Sequence, residues 1–299
     1  MKTLIGYIAV GIIRIMGLQS YSFAHKFGGL IGKFLWARKT RAREVAKVNV
    51  AKCFPEKSKA EQEEFVRQAL LEGGKTMTEV GLIWGWSVEK AKGLIKDTVG
   101  EEVIDGAIAE GKGVIYMALH HGNWEILNHA MHGKGKILGL YKPAKMPPFD
   151  NWMYKSRARL NLGLVPTTKE GVQELYKALE RNEIIAYLPD QEPSQKSGAF
   201  APFFGVPALT PKLPFDLIQK TGARVVFSFA ERLEDGSGFR IHYKAAEPEI
   251  YSDDLLTSQT SMNKTIEECI RICPTQFEWS YKRFKRQPEG QRNPYRDCP

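Results

Sequence analysis

The run VIYMAL (residues 114–119) is apolar at every position and ends at two adjacent histidines. A strand with one exposed face alternates polar and apolar residues, whereas a continuous apolar run is typical of a strand buried on both faces. A sheet that contains such a strand must be covered on both faces, an arrangement that is typical of α/β folds with helices on each side of the sheet. The 299 residues are enough to bury such a core.

Strand and helix patterns alternate along the rest of the chain. Further strands are predicted at residues 136–141, 183–190, 224–233 and 239–248, and helices at residues 58–86, 124–132, 170–182, 210–223 and 258–272. We expect a break at Gly73–Gly74, and we expect Asn123 to cap the helix that begins at residue 124. The pattern therefore predicts an α/β fold with a mixed central sheet flanked by helices and an N-terminal membrane-associated helix.

Residues 1–36 are expected to form an apolar membrane anchor or interfacial helix. Residues 4–13 are apolar, but Arg14 ends this run well short of the ~20 residues that span a bilayer. Apolar residues continue to Trp36, and they are joined by a basic cluster formed by Lys33, Arg38, Lys39, Arg41, Arg43, Lys47 and Lys52. This combination suits attachment to an anionic, cytoplasm-facing membrane surface. The alternative is a buried N-terminal helix beside a solvated basic loop.

The formal charge of +9 indicates an anionic partner, which can be a membrane surface, an acidic protein or nucleic acid. Residues 279–290 interleave aromatic and basic side chains, a pattern that suits either nucleic acid or acidic headgroups. Four scattered cysteines argue against a secreted disulfide framework and favour a reduced setting. Because residues 37–299 contain no clear linker, they are predicted to form one domain.

His120 and Glu125 are the candidate catalytic pair. His120 stands at the predicted end of the buried strand, and Glu125 lies in the first turn of the helix predicted after it. Functional groups gather at strand ends in open α/β sheets. A carboxylate there can accept one imidazole N–H, so that the other ring nitrogen is left to take a proton from a hydroxyl. Since no serine or cysteine is well placed nearby, the pair suits direct attack of a substrate alcohol on an activated acyl group.

Two other interpretations of this stretch stay open. His121, Glu125 and His129 are spaced four residues apart and would line one face of a continuous helix as metal ligands, although the usual two-histidine zinc helix has a different spacing. Alternatively, the histidines and the glutamate are ordinary hydrogen-bonded loop residues.

Other candidate residues lie elsewhere in the chain. Arg157 and Arg159 follow a proline-rich loop and are candidates for stabilising an oxyanion or binding a substrate phosphate. Asp190 ends a predicted strand and, with Asn123, is a candidate supporting residue of the site. The apolar, proline-punctuated residues 200–209 are expected to form a loop that lines a groove for a long chain.

The segment HHGNWE (residues 120–125) resembles the His-x4-Asp/Glu signature of glycerolipid-type acyltransferases. Four more segments occur in the same order as in one family: SRARLNLG (156–163), LPDQEPSQKSGAFAPFFGVPA (188–208), TGARVV (221–226) and PTQFEWSYKRFKRQPEG (274–290). Together they resemble the bacterial lipid A late (secondary) acyltransferases, over nearly the whole chain.

The resemblance implies transfer of a fatty acyl chain from acyl carrier protein to a hydroxyl on the acyl chains of a lipid A precursor. It implies a location at the cytoplasmic face of the inner membrane of a Gram-negative bacterium, with no metal, organic cofactor or nucleic acid involved. His120 is then the general base and Glu125 its orienting carboxylate. Arg157 and Arg159 match the family's arginine pair, and Asp190 its Pro-Asp segment.

The chain departs from the family pattern in two places. Residues 192–198 replace the acidic residue, tyrosine and glycine that usually follow the Pro-Asp-Gln segment, and residues 208–217 carry prolines where threonine and glycine are usual. These differences affect the choice of substrate rather than the chemistry. Acyl transfer to another lipid acceptor, such as lysophosphatidate or a mannolipid, is the nearest alternative.

Overall fold

The computed structural model describes residues 2–298. The helices are α1 (Lys2–Gly17), α2 (Tyr21–Ala37), α3 (Arg41–Cys53), α4 (Lys59–Gly85), α5 (Val88–Lys92), α6 (Glu101–Ala109), α7 (Leu127–Ala130), α8 (Pro147–Ala158), α9 (Lys169–Glu180), α10 (Leu213–Thr221) and α11 (Leu255–Ile272). The strands are β1 (Ile95–Val99), β2 (Val114–Gly122), β3 (Ile137–Tyr141), β4 (Leu162–Pro166), β5 (Ile184–Tyr187), β6 (Gly198–Phe203), β7 (Val206–Pro211), β8 (Arg224–Arg232) and β9 (Phe239–Ala245).

A seven-stranded sheet with the order β1-β9-β8-β2-β5-β3-β4 forms the centre of the fold. The β8–β9 pair is antiparallel, as the short connection between Arg232 and Phe239 permits, and the other neighbouring pairs are parallel. The prediction of a mixed central sheet flanked by helices is therefore confirmed.

Strand β2 lies in the middle of this sheet and is covered on both faces, as its continuous apolar run predicts. Ile115, Met117 and Leu119 pack in one core cluster with side chains of α9, α10 and α11. Tyr116 and Ala118 pack on the opposite face in a second cluster, with side chains of α6, α7 and α8. The period-2 alternation of a strand thus divides the core into two layers.

The segment after the apolar run differs from the prediction. Strand β2 continues through both histidines to Gly122, which pairs with Ala230 of β8 after an irregularity in the register. The helix predicted for residues 124–132 is replaced by a 3₁₀ turn, Trp124–Ile126, followed by the single turn of α7. Asn123 does not cap it, since its side-chain oxygen accepts no hydrogen bond from the turn, and its side-chain amide donates a hydrogen bond to Glu79.

Residues 200–209 form most of a β-hairpin rather than a loop. Strands β6 and β7 are antiparallel, with Phe200 opposite Leu209, and Phe203 and Ala208 are buried in the core. Because residues 206–211 are part of this hairpin, the helix predicted from residue 210 begins later, at Leu213, and it ends at Thr221 with Gly222 as its left-handed C-cap.

Two helices, α1 and α2, occupy the segment predicted to be one anchor. They leave many large apolar side chains exposed, namely Leu4, Ile5, Tyr7, Ile8, Ile12, Ile15, Leu18, Phe23, Phe27, Leu30 and Phe34. Among the helices that the structure describes, none combines the length and the apolarity needed to cross a bilayer. The attachment of this segment to a membrane surface stays a prediction.

Helix α4 runs without a break through Gly73 and Gly74. Its packing against α2 explains why the second glycine is needed: a Cβ at Gly74 would overlap Gly28 O and lie 2.7 Å from Gly32 N. The small residues let the two helix backbones approach closely, whereas at Gly73 a Cβ would meet nothing within 4 Å. The expected break was therefore wrong because tertiary packing overrides the weak helix propensity of glycine.

We expect the substitution Gly74→Ala to lower the free energy of unfolding by about 1–3 kcal/mol, because the added methyl group overpacks the α2–α4 contact. Gly73→Ala is the matched control, and the better helix propensity of alanine should leave stability unchanged or raise it by up to about 1 kcal/mol. Urea unfolding of the purified variants measures both values. Equal effects at the two positions would contradict the packing described here.

Candidate active site

The turn after β2 is fixed by its close approach to β8. Gly122 has a φ of +64°, and a Cβ there would overlap the carbonyl oxygen of Ala230, so only glycine fits. Thr76 Oγ1 donates a hydrogen bond to Gly122 O at 3.1 Å, and the backbone N–H of Asn123 donates to Ala230 O at 3.3 Å. These contacts fix the positions of the residues that precede and follow the turn.

A buried ion pair lies against this turn. Arg232, at the end of β8, donates to Glu79 Oε2 at 2.6 Å and to Glu72 Oε2 at 2.6 Å. Asn123 Nδ2 donates to the same Glu79 carboxylate at 3.1 Å. Burial opposes ionisation of Glu79, but the charge of Arg232 together with the hydrogen bonds that the carboxylate accepts outweighs burial and lowers the pKa of Glu79 to about 2. Asn123 thus ties the turn to a fixed charge on α4.

His120 is held by Asp190, which follows β5. Asp190 Oδ1 lies 2.7 Å from His120 Nδ1, and Asp190 Oδ2 accepts the backbone N–H of His120 at 2.7 Å. Because an ionised carboxylate only accepts hydrogen bonds, Nδ1 carries the proton and Nε2 keeps its lone pair. Gln191 Nε2 lies 3.2 Å from His120 Nε2, and the Trp124 ring packs edge-on against the imidazole.

The environment of His120 makes it a stronger base. Burial disfavours the imidazolium form, but the charge and the hydrogen bond of Asp190 outweigh burial and raise the pKa of His120 above its ordinary value. Burial likewise opposes ionisation of Asp190, yet the neighbouring imidazole holds the pKa of this carboxyl below its usual range. The pair therefore favours a charged carboxylate beside an imidazole that readily accepts a proton.

The prediction that Glu125 accepts the imidazole N–H of His120 was wrong. The Glu125 carboxylate accepts hydrogen bonds from Trp84 Nε1 at 2.8 Å and from Arg157 Nε at 3.3 Å, with a further bond from Arg157 Nη2 to Oε1. Its 3₁₀ turn directs the side chain towards α4 and α8, while Asp190 occupies the Nδ1 side of the imidazole. Burial opposes ionisation, but the charge of Arg157 holds the pKa of Glu125 below its usual range.

His120, Glu125 and Arg157 line one pocket, which has a volume of about 350 Å³. Its other walls are largely apolar and include Ala118, Leu127, Leu162, Leu164, Ala186 and Leu188. The 200–209 segment, which was expected to line such a groove, packs in the core on the other face of the sheet. The site thus combines the imidazole of His120, the ion pair of Glu125 and Arg157, and a largely apolar cavity.

Arg159 lies apart from Arg157. Its Nη2 donates to Ile83 O at 2.8 Å, and its side chain lines a second cleft, of about 580 Å³, on the side of α1. The other walls of this cleft include Arg14, Ile15, Leu18, Trp84, Trp152 and Lys155. Trp84 belongs to both sites, because its indole N–H binds Glu125 while its ring lines the cleft.

Two of the residues considered as metal ligands, His121 and Glu125, have other partners. His121 stacks on Phe229 at 4.6 Å between ring centroids, and its Nε2 lies 2.9 Å from Cys273 O. Burial lowers the pKa of His121 to about 4, and burial together with the charge of Arg159 lowers the pKa of His129 to about 4. Within residues 2–298, no group of three histidine, cysteine, aspartate or glutamate side chains is arranged to hold a metal ion.

Sequence reasoning identifies Asp190 as a strand-end residue but does not pair it with His120. Strands β2 and β5 are parallel neighbours, with Val114 opposite Ile184, so their carboxyl ends lie at the same edge of the sheet. Knowledge of this strand order would have identified the pair. Trp84 and Gln191 were missed, because one lies on a helix with the pattern of a core element and the other in a loop.

The site can activate a hydroxyl. His120 lines a pocket with largely apolar walls, and Arg157 brings a guanidinium to the same pocket, where such a group can stabilise negative charge. An α/β sheet that presents an imidazole beside an apolar pocket suits the transfer of an acyl chain, and the class of protein follows from the family match. The family model for "Bacterial lipid A biosynthesis acyltransferase" matches residues 1–286, and the chain belongs to this family.

Characterised relatives align with nearly the whole chain. The lipid A biosynthesis lauroyltransferase of Escherichia coli is 26% identical over 285 residues, which cover 95% of this chain and 92% of the relative. A lipid A biosynthesis acyltransferase of Haemophilus influenzae is 28% identical and covers 89% of this chain and 84% of its own length. The Escherichia coli myristoyltransferase of the same pathway is 26% identical, with coverage of 97% and 90%. The family model and these relatives confirm the resemblance to lipid A acyltransferases that the sequence motifs indicate.

We expect the substitution Asp190→Asn to lower the pKa of His120, because it removes the negative charge that, together with its hydrogen bond, offsets burial. Glu125→Gln is the matched control, since Glu125 is a weaker contributor to the same pKa. NMR titration of the His120 imidazole in the purified protein measures both shifts. A larger downward shift in Glu125→Gln than in Asp190→Asn would assign the orienting carboxylate to Glu125 after all.

Proposed function

We propose that this acyltransferase moves a fatty acyl chain from acyl carrier protein to a hydroxyl on the acyl chains of a lipid A precursor, with His120 as general base. One observation carries the proposal: His120 has its Nδ1 fixed by Asp190 and lines an apolar pocket with its other nitrogen available to a hydroxyl. The names of the relatives, which include lauroyl and myristoyl transferases of lipid A biosynthesis, support a fatty acyl chain as the transferred group and lipid A biosynthesis as the setting.

The reaction proceeds without a covalent enzyme intermediate. The acceptor hydroxyl replaces Gln191 at His120 Nε2 and gives up its proton as the oxygen attacks the thioester carbonyl carbon. The tetrahedral intermediate then expels the carrier sulfur, which takes the proton from the imidazolium. An ester bond forms, the C–S bond breaks, and His120 returns to its neutral state.

The remaining groups of the pocket have separate tasks. Asp190 orients the imidazole and stabilises its charged form. Glu125 holds Arg157 through two hydrogen bonds from the guanidinium, and Arg157 stabilises the oxyanion of the tetrahedral intermediate. Glu125 is therefore proposed to contribute by positioning Arg157, which keeps it in the catalytic site by a different route from the one the sequence predicts.

We expect His120→Ala to reduce transfer by about 10²- to 10⁴-fold, because the general base is lost. Glu125→Ala should also lose transfer by orders of magnitude while the protein stays folded. The measurement is mass spectrometry of products formed from one acyl-carrier donor and a lipid A precursor, lysophosphatidate or a mannolipid. His132→Ala is the histidine control and should retain transfer. Near-normal turnover of His120→Ala would overturn the mechanism, and preference for another acceptor would overturn the substrate.

The second cleft suits the phosphate of the acceptor. Arg14, Lys155 and Arg159 line it without a carboxylate among its lining residues, and the exposed Ile15 and Leu18 border it. Cationic side chains next to an apolar edge match a phosphorylated glycolipid whose acyl chains stay near the membrane. Arg159 is therefore assigned to phosphate binding and Arg157 to the oxyanion.

Arg159→Gln should raise the KM for a phosphorylated acceptor by about tenfold, because a charge-assisted phosphate contact is worth roughly 1.5–3 kcal/mol. For the enzymatically dephosphorylated acceptor, the KM of the variant should equal that of the unmodified enzyme. Lys33→Gln removes an exposed charge on α2 outside the cleft and controls for membrane electrostatics. Equal effects of Arg159→Gln on both acceptors would show that Arg159 does not bind the phosphate.

The proposed location is the cytoplasmic face of the inner membrane. The exposed apolar side chains of α1 and α2 suit insertion into the headgroup region, and the basic cluster that follows suits anionic lipids. The net positive charge also suits an acidic carrier protein. Part of the basic C-terminal segment serves the fold instead, since Arg283 is buried and donates to Leu209 O at 2.8 Å.

A further inference from the structure

Four side chains of neighbouring strands form one row beneath the pocket. Ala186 on β5 lies opposite Tyr116 on β2 and opposite Gly139 on β3, and Gly139 lies opposite Leu164 on β4. All four residues line the pocket that contains His120. The row is therefore part of the pocket floor.

The two central positions of this row are small. Gly139 and Ala186 sit between the bulkier Tyr116 and Leu164, so the floor is indented along β5 and β3. A Cβ built at Gly139 would lie 3.7 Å from Ala186 O and 3.9 Å from Leu162 Cδ1. These are ordinary contact distances, so the indentation is open to substitution with alanine without a backbone shift.

The next row along the strands, farther from His120, closes the indentation. It consists of Val114, Ile184, Ile137 and Leu162, which lie opposite one another on β2, β5, β3 and β4. Of these residues only Leu162 lines the pocket, whereas Val114, Ile184 and Ile137 are buried behind it. Valine and isoleucine on a strand have restricted side-chain rotation, so they form a stiff wall.

We infer that this indentation is the subsite for the far end of the transferred acyl chain, and that Gly139, Ala186 and Ile184 set the longest chain that the enzyme accepts. The inference deepens the proposed function and rests on it. A linear hydrocarbon fits because the walls of the indentation are apolar and because the pocket runs from the base to a closed end. Successive rows are about 7 Å apart along the strands, so moving the closed end by part of a row changes the accepted length by a few methylene groups.

Two substitutions should move the preferred length in opposite directions. Gly139→Ala fills the indentation and should lower the kcat/KM for the longest accepted chain by about tenfold or more relative to shorter chains, since one methylene in an apolar pocket discriminates by about 10- to 200-fold. Ile184→Ala removes part of the closing wall and should raise the relative kcat/KM for longer chains. A series of saturated acyl-carrier thioesters of increasing length, with one lipid A precursor, gives the profile.

Ile185→Ala is the matched control, because Ile185 is the next residue on β5, is also an isoleucine and is buried in the core on the opposite face. Its length profile should equal that of the unmodified enzyme even if its stability falls. Affinities for unreactive thioether-linked acyl carriers of the same lengths should shift in the same directions, which tests the subsite without chemistry.

An unchanged length profile in both Gly139→Ala and Ile184→Ala, or an equal shift in Ile185→Ala, would overturn the subsite. Failure of the proposed function has a different signature, in which the unmodified enzyme transfers no chain of any length to the lipid A precursor. The thioether affinities would then still decide whether the indentation binds and measures an acyl chain.

Discussion

The buried ion pair of Arg232 and Glu79 is the contact on which the geometry of the site depends. It joins the end of β8 to the C-terminal part of α4, and Asn123 attaches the turn after β2 to the same carboxylate. Removing one partner of such a pair leaves an uncompensated buried charge, which typically costs about 3–5 kcal/mol. The pair is therefore a condition for the fold around the site, although it takes no part in the proposed chemistry.

Helix α4 connects this ion pair to the pocket that His120 lines. The helix that holds Glu79 also holds Trp84, which donates to Glu125 at 2.8 Å. The carboxylates of Asp190 and Glu125 are anchored from different directions, Asp190 from the strand beside β2 and Glu125 from α4 and α8. Each has its own partner, an imidazole or a guanidinium, and the pKa of each carboxyl lies below its usual range despite burial. This separation permits one carboxylate to serve the base and the other to serve Arg157.

The sequence predicts the parts of the structure that local patterns encode. The buried strand from Val114, the mixed sheet and the helix stop at Gly222 follow from periodicity and glycine chemistry. The turn after Gly122 is different, because a helix pattern from residue 124 is overridden by contacts with Glu79 and Ala230, which lie far away in the sequence. The partner of His120 is missed for a related reason, since the neighbourhood of β2 and β5 is a property of strand order and not of either segment.

Residues 186–190 connect the floor of the pocket to the carboxylate that holds His120, so the depth of the pocket and the position of His120 depend on the same segment. Ala186 lies in the floor of the pocket, and Asp190, which holds the base, is only four positions further along the chain, at most about 14 Å of extended backbone. A change that deepened the pocket by moving β5 would also displace the carboxylate from His120. Natural variation in acyl preference within this fold is therefore expected to arise from the size of single side chains on an unmoved strand, and enzymes with different products can keep the same catalytic geometry.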